Sequence, residues 1–106
     1  MVWILYMSHP PHPGQVLKKI YIESVGLSVK NLSVALNISI KSLNNFIKGE
    51  TSLTPSLALQ LSIALNTTPE EWIELQNNYD FFQEYQRLAK SKVTPMIQIQ
   101  SPFRIN

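Results

Sequence analysis

This sequence predicts an all-α domain of five short helices, and three features carry the prediction. Apolar residues recur at spacings of three and four through most of residues 13–90, the period of helices that bury one face. The stripes are punctuated: Pro13, Ser28, Ser39, Thr54-Pro55 and Thr68-Pro69 suit helix starts, while Gly26, Asn37, Gly49 and Asn66 suit helix ends. The connections so defined run about two to six residues, which gives a compact domain of low contact order. A chain of 106 residues is long enough for one core and too short for two.

The first helix opens on Pro13, which has no N–H to leave unpaired in a first turn. Its expected stripe is Val16, Leu17, Ile20, Tyr21 and Val25, ending at Gly26. Ser28 caps the second helix, which buries Leu32 and Leu36 and places the small Ser33 where the next helix approaches. Asn37, the non-glycine residue that best tolerates positive φ, makes the corner, and Ile38 plugs it. Ser39 then caps a third helix from Ile40 to about Lys48, stopped by Gly49. The fourth buries Leu57, Leu61, Ala64 and Leu65 and ends at Asn66. In the fifth, Thr68 and Glu71 form a capping box, and Trp72, Leu75, Tyr79 and Phe82 continue the stripe, with the helix reaching about Lys90.

Outside the helices lie a lead at residues 1–11 and a tail at residues 93–106, which flank the domain at residues 12–92. The apolar run Val2 to Tyr6 is far short of a membrane span and lacks the basic start of a signal peptide, and Met7 behind it is the expected natural start. The tail, flanked by Pro95 and Pro102, alternates apolar and polar from Met96 to Gln100 and is expected as an edge strand or an extended segment. His9 and His12 are three apart among prolines, a pair with no third or fourth metal ligand, and both are expected outside the helical core.

The stretch SVKNLSVALNISIKSLNNFIKG, Ser28 to Gly49, sets the functional reading. Leu32, Leu36, Ile38, Leu43, Phe46 and Ile47 form one apolar face across both helices, leaving Lys30, Lys41, Ser42, Asn44, Asn45 and Lys48 for the other. That is the layout of a helix-turn-helix; two ordinary helices of a plain bundle would share it, and its position in the chain favours the former. The charge is unevenly spread. Residues 1–48 are net +4, residues 49–86 hold six acids and no Lys or Arg, and residues 87–106 are net +4. A positive half carrying the helix-turn-helix suits a polyanion, and the acidic segment suits a basic protein or a solvated surface. The absence of cysteine excludes disulfides and thiolate chemistry and fits a cytoplasmic location. With no Gly-rich phosphate loop, metal-ligand cluster or Ser/His/Asp arrangement, neither an enzyme nor a cofactor nor a catalytic residue is expected.

His12-Pro13-Gly14, Gly26-Leu27-Ser28, the helix-turn-helix, Thr54-Pro55, Ala58-Leu59, Leu61, Thr68-Pro69-Glu70 with Trp72, Leu75-Gln76 and Tyr79-Asp80 together resemble the HigA (VapI-like) antitoxin family. The match covers about residues 12–82, and HPG and TPExW…LQ…YD are its more specific parts. The resemblance implies a lambda-repressor-like fold and a homodimer. It also implies an antitoxin of a type II toxin–antitoxin pair that binds a RelE-like mRNA-cleaving toxin and represses its own operon. Against the family pattern stand Ser33 in place of Ala, Asn37 in place of Gly, Ile40 where a basic or polar residue is common, and Glu50 where Arg is frequent.

With the third helix in a major groove, its N-terminal half faces base edges, so Ile40, Lys41, Asn44 and Asn45 are the expected readers. Asn pairs with adenine, Lys donates to guanine, and Ile packs on a thymine methyl. Ser28, Lys30, Ser39, Ser42 and Lys48 are placed for phosphates. Tyr79 and Phe82, as the exposed part of the last stripe, and the tail beyond Pro95 are the expected dimer contact. The expected partners are operator DNA, a small basic toxin and a second copy of the chain. The alternatives are a stand-alone helix-turn-helix regulator without a toxin, and a protein-interaction module that has lost DNA.

Overall fold

The computed structural model describes residues 9–97. The expectations for the apolar run at Val2 to Tyr6, for Met7, and for the tail from Gln98 onward lie outside them. Within them are five helices and no strand. Helix α1 starts as Pro13–Val16 and continues as a π-helix, Leu17–Ser24; α2 is Val29–Leu36, α3 Ile40–Ile47, α4 Pro55–Leu65 and α5 Pro69–Ala89. Residues 92–95 and 97 have no regular structure.

The helix boundaries follow local chemistry. Ser28 Oγ accepts from Asn31 N–H at 3.0 Å, Ser39 Oγ from Ser42 N–H at 3.0 Å, and Thr54 Oγ1 from Leu57 N–H at 3.1 Å. Thr68 and Glu71 form the reciprocal box, with Glu71 N–H donating to Thr68 Oγ1 and Thr68 N–H to Glu71 Oε2. Each such cap is worth about 1 kcal/mol. Asn37 and Asn66 both close their helices in the left-handed region, at φ 56° and 54°.

Leu17, Leu32, Leu36, Leu43, Phe46, Leu57, Ala58, Leu61 and Trp72 make a single core, so every helix contributes. The α2–α3 corner is closed by Leu36, Leu43 and Ile38, as expected. Ser33 is buried, and its hydroxyl donates to Lys30 C=O at 2.7 Å. Trp72 keeps its ring in the core and donates its indole N–H to Thr67 Oγ1 at 2.7 Å.

Three expectations are corrected. The α1 stripe is Leu17, Tyr21 and Ile22, while Ile20 and Val25 are exposed. Bonds closing five rather than four residues back, as in Val25 N–H to Ile20 C=O, widen the turn and shift the buried face by one position. On α4 the small buried residue is Ala58, and Ala64 is exposed at the rim of a groove that also involves Ala35 and Leu65. Most consequentially, His12 is buried within the fold rather than outside it, at 3% exposure.

Candidate nucleic-acid interface

On α3, Ile40, Lys41, Asn44, Asn45 and Lys48 fall within an arc of about 140° at 100° per residue, opposite Leu43 and Phe46, which are buried. The core therefore fixes which way the helix faces. Ile40 is 47% exposed at its start, an apolar group held in solvent. Lys41 and Lys48 are exposed, and Asn44 and Asn45 are half-buried one turn into the same arc. Ile40, Lys41, Asn44 and Asn45 thus share one outward face, with Lys48 at its end.

The helix start leaves several donors free. Ser39 Oγ accepts Ser42 N–H and its own proton goes to Ser42 Oγ at 2.9 Å, so the hydroxyl left to donate outward is that of Ser42. The backbone N–H groups of Ile40 and Lys41 remain as donors at the positive end of the helix. Ser28 and Lys30 are exposed at the start of α2. The ion pairs among the described residues, Lys18 with Glu23 and Arg87 with Glu84, lie on α1 and α5, leaving Lys30, Lys41 and Lys48 uncompensated. Glu50 is exposed just beyond Gly49 and puts a negative charge at the far end of this face.

Tyr79 and Phe82 are not the exposed part of the α5 stripe. Phe82 is 6% exposed, with the His9 ring 4.6 Å away, and Tyr79 is half-buried with the His12 ring edge-on at 5.0 Å. The lead at His9–His12 folds back over this side of α5 and covers them. The apolar groups that α5 does expose are Ile73, Phe81, Tyr85 and Leu88.

The sequence reading missed a set of residues behind α3. His12 caps α1, its Nδ1 accepting from Gly14 N–H at 2.9 Å. Its ring meets Phe46 of α3 at 5.4 Å and Tyr79 of α5 at 5.0 Å, and it hydrogen-bonds the backbone of Thr51. Gln76, also buried, accepts Leu53 N–H at 2.7 Å and donates to Asp80 Oδ1 at 2.9 Å. The loop leaving α3 is thereby held to α5 at two points. The two specific motifs, HPG and LQ…YD, meet at this joint, and that was the available signal. A second signal was Gly14, since glycine in a helical turn is unfavourable unless a neighbour approaches closely.

Burial lowers the His12 pKa, against the opposing pull of the Thr51 hydrogen bond and the Asp80 charge. The folded-state value then lies below the usual ~6.5 of the unfolded chain. Above pH ~6.5 both states are neutral and the full stability is present; as pH falls, the unfolded chain takes up the proton first. We expect stability to fall progressively below pH ~6.5 until the folded-state value is passed. Thermal melts across that range, with His12→Asn losing this part of the slope, check it.

Comparison with known proteins agrees with this geometry. A family model described as Helix-turn-helix, HTH_3, matches residues 17–72. The chain belongs to the HTH_3 helix-turn-helix family. Among relatives in this family, Antitoxin HigA-1 of Vibrio cholerae is 33% identical over 84 residues, covering 76% of this chain and 79% of that protein. Virulence-associated protein A' of Dichelobacter nodosus is 32% identical over 84 residues, covering 78% of this chain and 72% of that protein. The solved structure of antitoxin GraA in complex with its operator superposes with a TM-score of 0.75 at 30% identity, covering 84% of this chain and 93% of that one. The resemblance to HigA antitoxins is therefore supported by both sequence and fold.

Proposed function

We propose that this chain is the antitoxin of a type II toxin–antitoxin pair, which binds a RelE-like mRNA-cleaving toxin and, as a dimer, represses its own operon. The observation that carries the DNA half is the outward α3 face of Ile40, Lys41, Asn44 and Asn45, fixed by Leu43 and Phe46 beneath it. The likeness to GraA, which was solved with its operator, supports the same reading. In this reading α3 enters the major groove, Asn44 and Asn45 pair with adenine, Lys41 donates to guanine and Ile40 packs on a thymine methyl. Ser28, Lys30, Ser42 and Lys48 hold phosphates, and Ser39 acts through the cap and through Ser42.

One copy brings about three uncompensated lysines, too few for tight binding at physiological salt, so a two-fold dimer reading inverted half-sites is part of the proposal. Because Tyr79 and Phe82 are covered within the chain, the dimer contact moves to Phe81, Tyr85 and Leu88 on the exposed side of α5. Tyr85→Ser with Leu88→Ser should convert a dimer to a monomer in light scattering while leaving the melting temperature of the domain nearly unchanged. Replacing Lys30 by Ala should weaken binding to all duplexes alike and reduce the slope of log affinity against log salt by about 0.9 per subunit. Titrations at several salt concentrations with operator and scrambled duplexes measure both.

The toxin half is supported by the name of the Vibrio relative and by the acids of residues 49–86, which suit a basic partner. Co-expression with the product of the neighbouring gene, followed by pull-down and a growth assay, tests it. A small basic protein should co-purify and lose its toxicity. Binding to the chain's own promoter with no such neighbour would instead establish a stand-alone regulator.

A further inference from the structure

We propose that His12 is a positioning residue that locks the DNA-reading helix α3 to helix α5, and that it does so only as the neutral imidazole. The inference rests on the DNA-binding reading above and adds a control element to it. Several contacts meet at this side chain. Its Nδ1 holds Gly14 N–H at 2.9 Å, which requires a lone pair at that nitrogen. Gly14 is itself pressed against α3: a Cβ built on it would lie 1.8 Å from Phe46 O and 3.0 Å from Ile47 Cα. The ring also fills the space between Phe46 and Tyr79, and a Cβ built on Gly49 would lie 3.5 Å from its Cγ.

Adding a proton at Nδ1 places a second N–H against that of Gly14. The cap is lost, and the imidazolium is left among aromatic rings and backbone. Asp80 of α5 is the charged group whose field reaches the ring, and Tyr79 is the other titratable group of α5 beside it. The α3 end and its loop bring Lys48 and Glu50, both exposed. Asp80 is held by Gln76, so an imidazolium drawn toward it pulls on the link that ties Leu53 to α5. Both consequences shift the end of α3 relative to the helix proposed to carry the dimer contact, and so shift the spacing of the two reading helices. Burial already disfavours the charged form, so the lock is closed near neutral pH and opens on acidification.

The test measures affinity of the full chain for a labelled duplex from upstream of its own gene between pH ~7.5 and ~5, with a scrambled duplex of equal length as control. The wild type is expected to lose about tenfold in operator affinity over that range. That loss runs against the gain in positive charge, which should strengthen binding to the scrambled duplex. His12→Asn, whose Oδ1 can accept from Gly14 N–H but cannot take a proton, should bind as the wild type does at pH ~7.5 and lack the loss. His12→Ala should be weakened throughout. Circular dichroism at each pH restricts the comparison to folded protein. In parallel, amide NMR of the free chain should show Gly14 and residues 46–51 titrating together in the wild type and not in His12→Asn. A flat wild-type profile, an equal loss in His12→Asn, or α3 amides that ignore the titration would overturn the proposal. Failure of the wild type to bind the operator at any pH would overturn the DNA reading, and the NMR result would then decide the lock by itself.

Discussion

Gly14→Ala is expected to cost about 3 kcal/mol of stability, at the upper end of what an added methyl group does in a packed site. The added carbon would sit 1.8 Å from Phe46 O and 2.7 Å from Phe46 C, and both are backbone atoms of a helix that cannot yield by a rotamer change. Relief requires α1 to lift from α3, which also pulls Leu17 from the core and draws His12 off Phe46. Urea unfolding should show the loss as a lowered midpoint, and a thermal melt as a drop of roughly 15 °C for a domain of this size. Gly26→Ala is the control. Nothing lies within 4 Å of its would-be Cβ, and the φ of +90° leaves only backbone strain, worth about 1 kcal/mol. If the two substitutions cost the same, the close α1–α3 approach is not what the glycine serves.

The second large effect is on DNA. Lys41→Ala combined with Asn44→Ala should lower operator affinity by at least about 100-fold, since each base contact is worth about 1–3 kcal/mol and is made twice in a dimer. Lys41 is exposed and Asn44 only half-buried on the face opposite Leu43 and Phe46, so the fold should survive with an unchanged circular dichroism spectrum. Toxin binding should also survive, which separates a lost reading face from a lost protein. Operator affinity in a mobility-shift assay within a few-fold of the wild type would refute the assignment of α3 as reader.

Much of the fold and of the outward α3 face is legible in the residues alone because the relevant physics is local. A serine hydroxyl capping a backbone N–H three residues on, a proline in a first turn, or an asparagine at positive φ needs no distant partner. The limits of α2, α3, α4 and α5 follow from such residues, and the outward direction of Lys41 and Asn44 follows from the period of Leu43 and Phe46. Where sequence reasoning fails, the deciding contact is remote. Ile20 and Val25 fit a 3.6-residue stripe, and only the packing of Leu17, Tyr21 and Ile22 against the core selects the wider π turn. Phe82 continues an apolar stripe that could meet a partner, but the lead folds His9 over it.

The sequence by itself therefore determined an all-α helix-turn-helix protein and the residues on the outward face of its third helix, since helix period and capping are set within a few positions of the chain. Only the tertiary structure decided how that face is held. The bond from Leu53 to Gln76 spans 23 residues, and His12 touches Phe46, Thr51 and Tyr79 at once. Burial and hydrogen bonding at such separations depend on how the helices pack, which no local pattern of residues encodes.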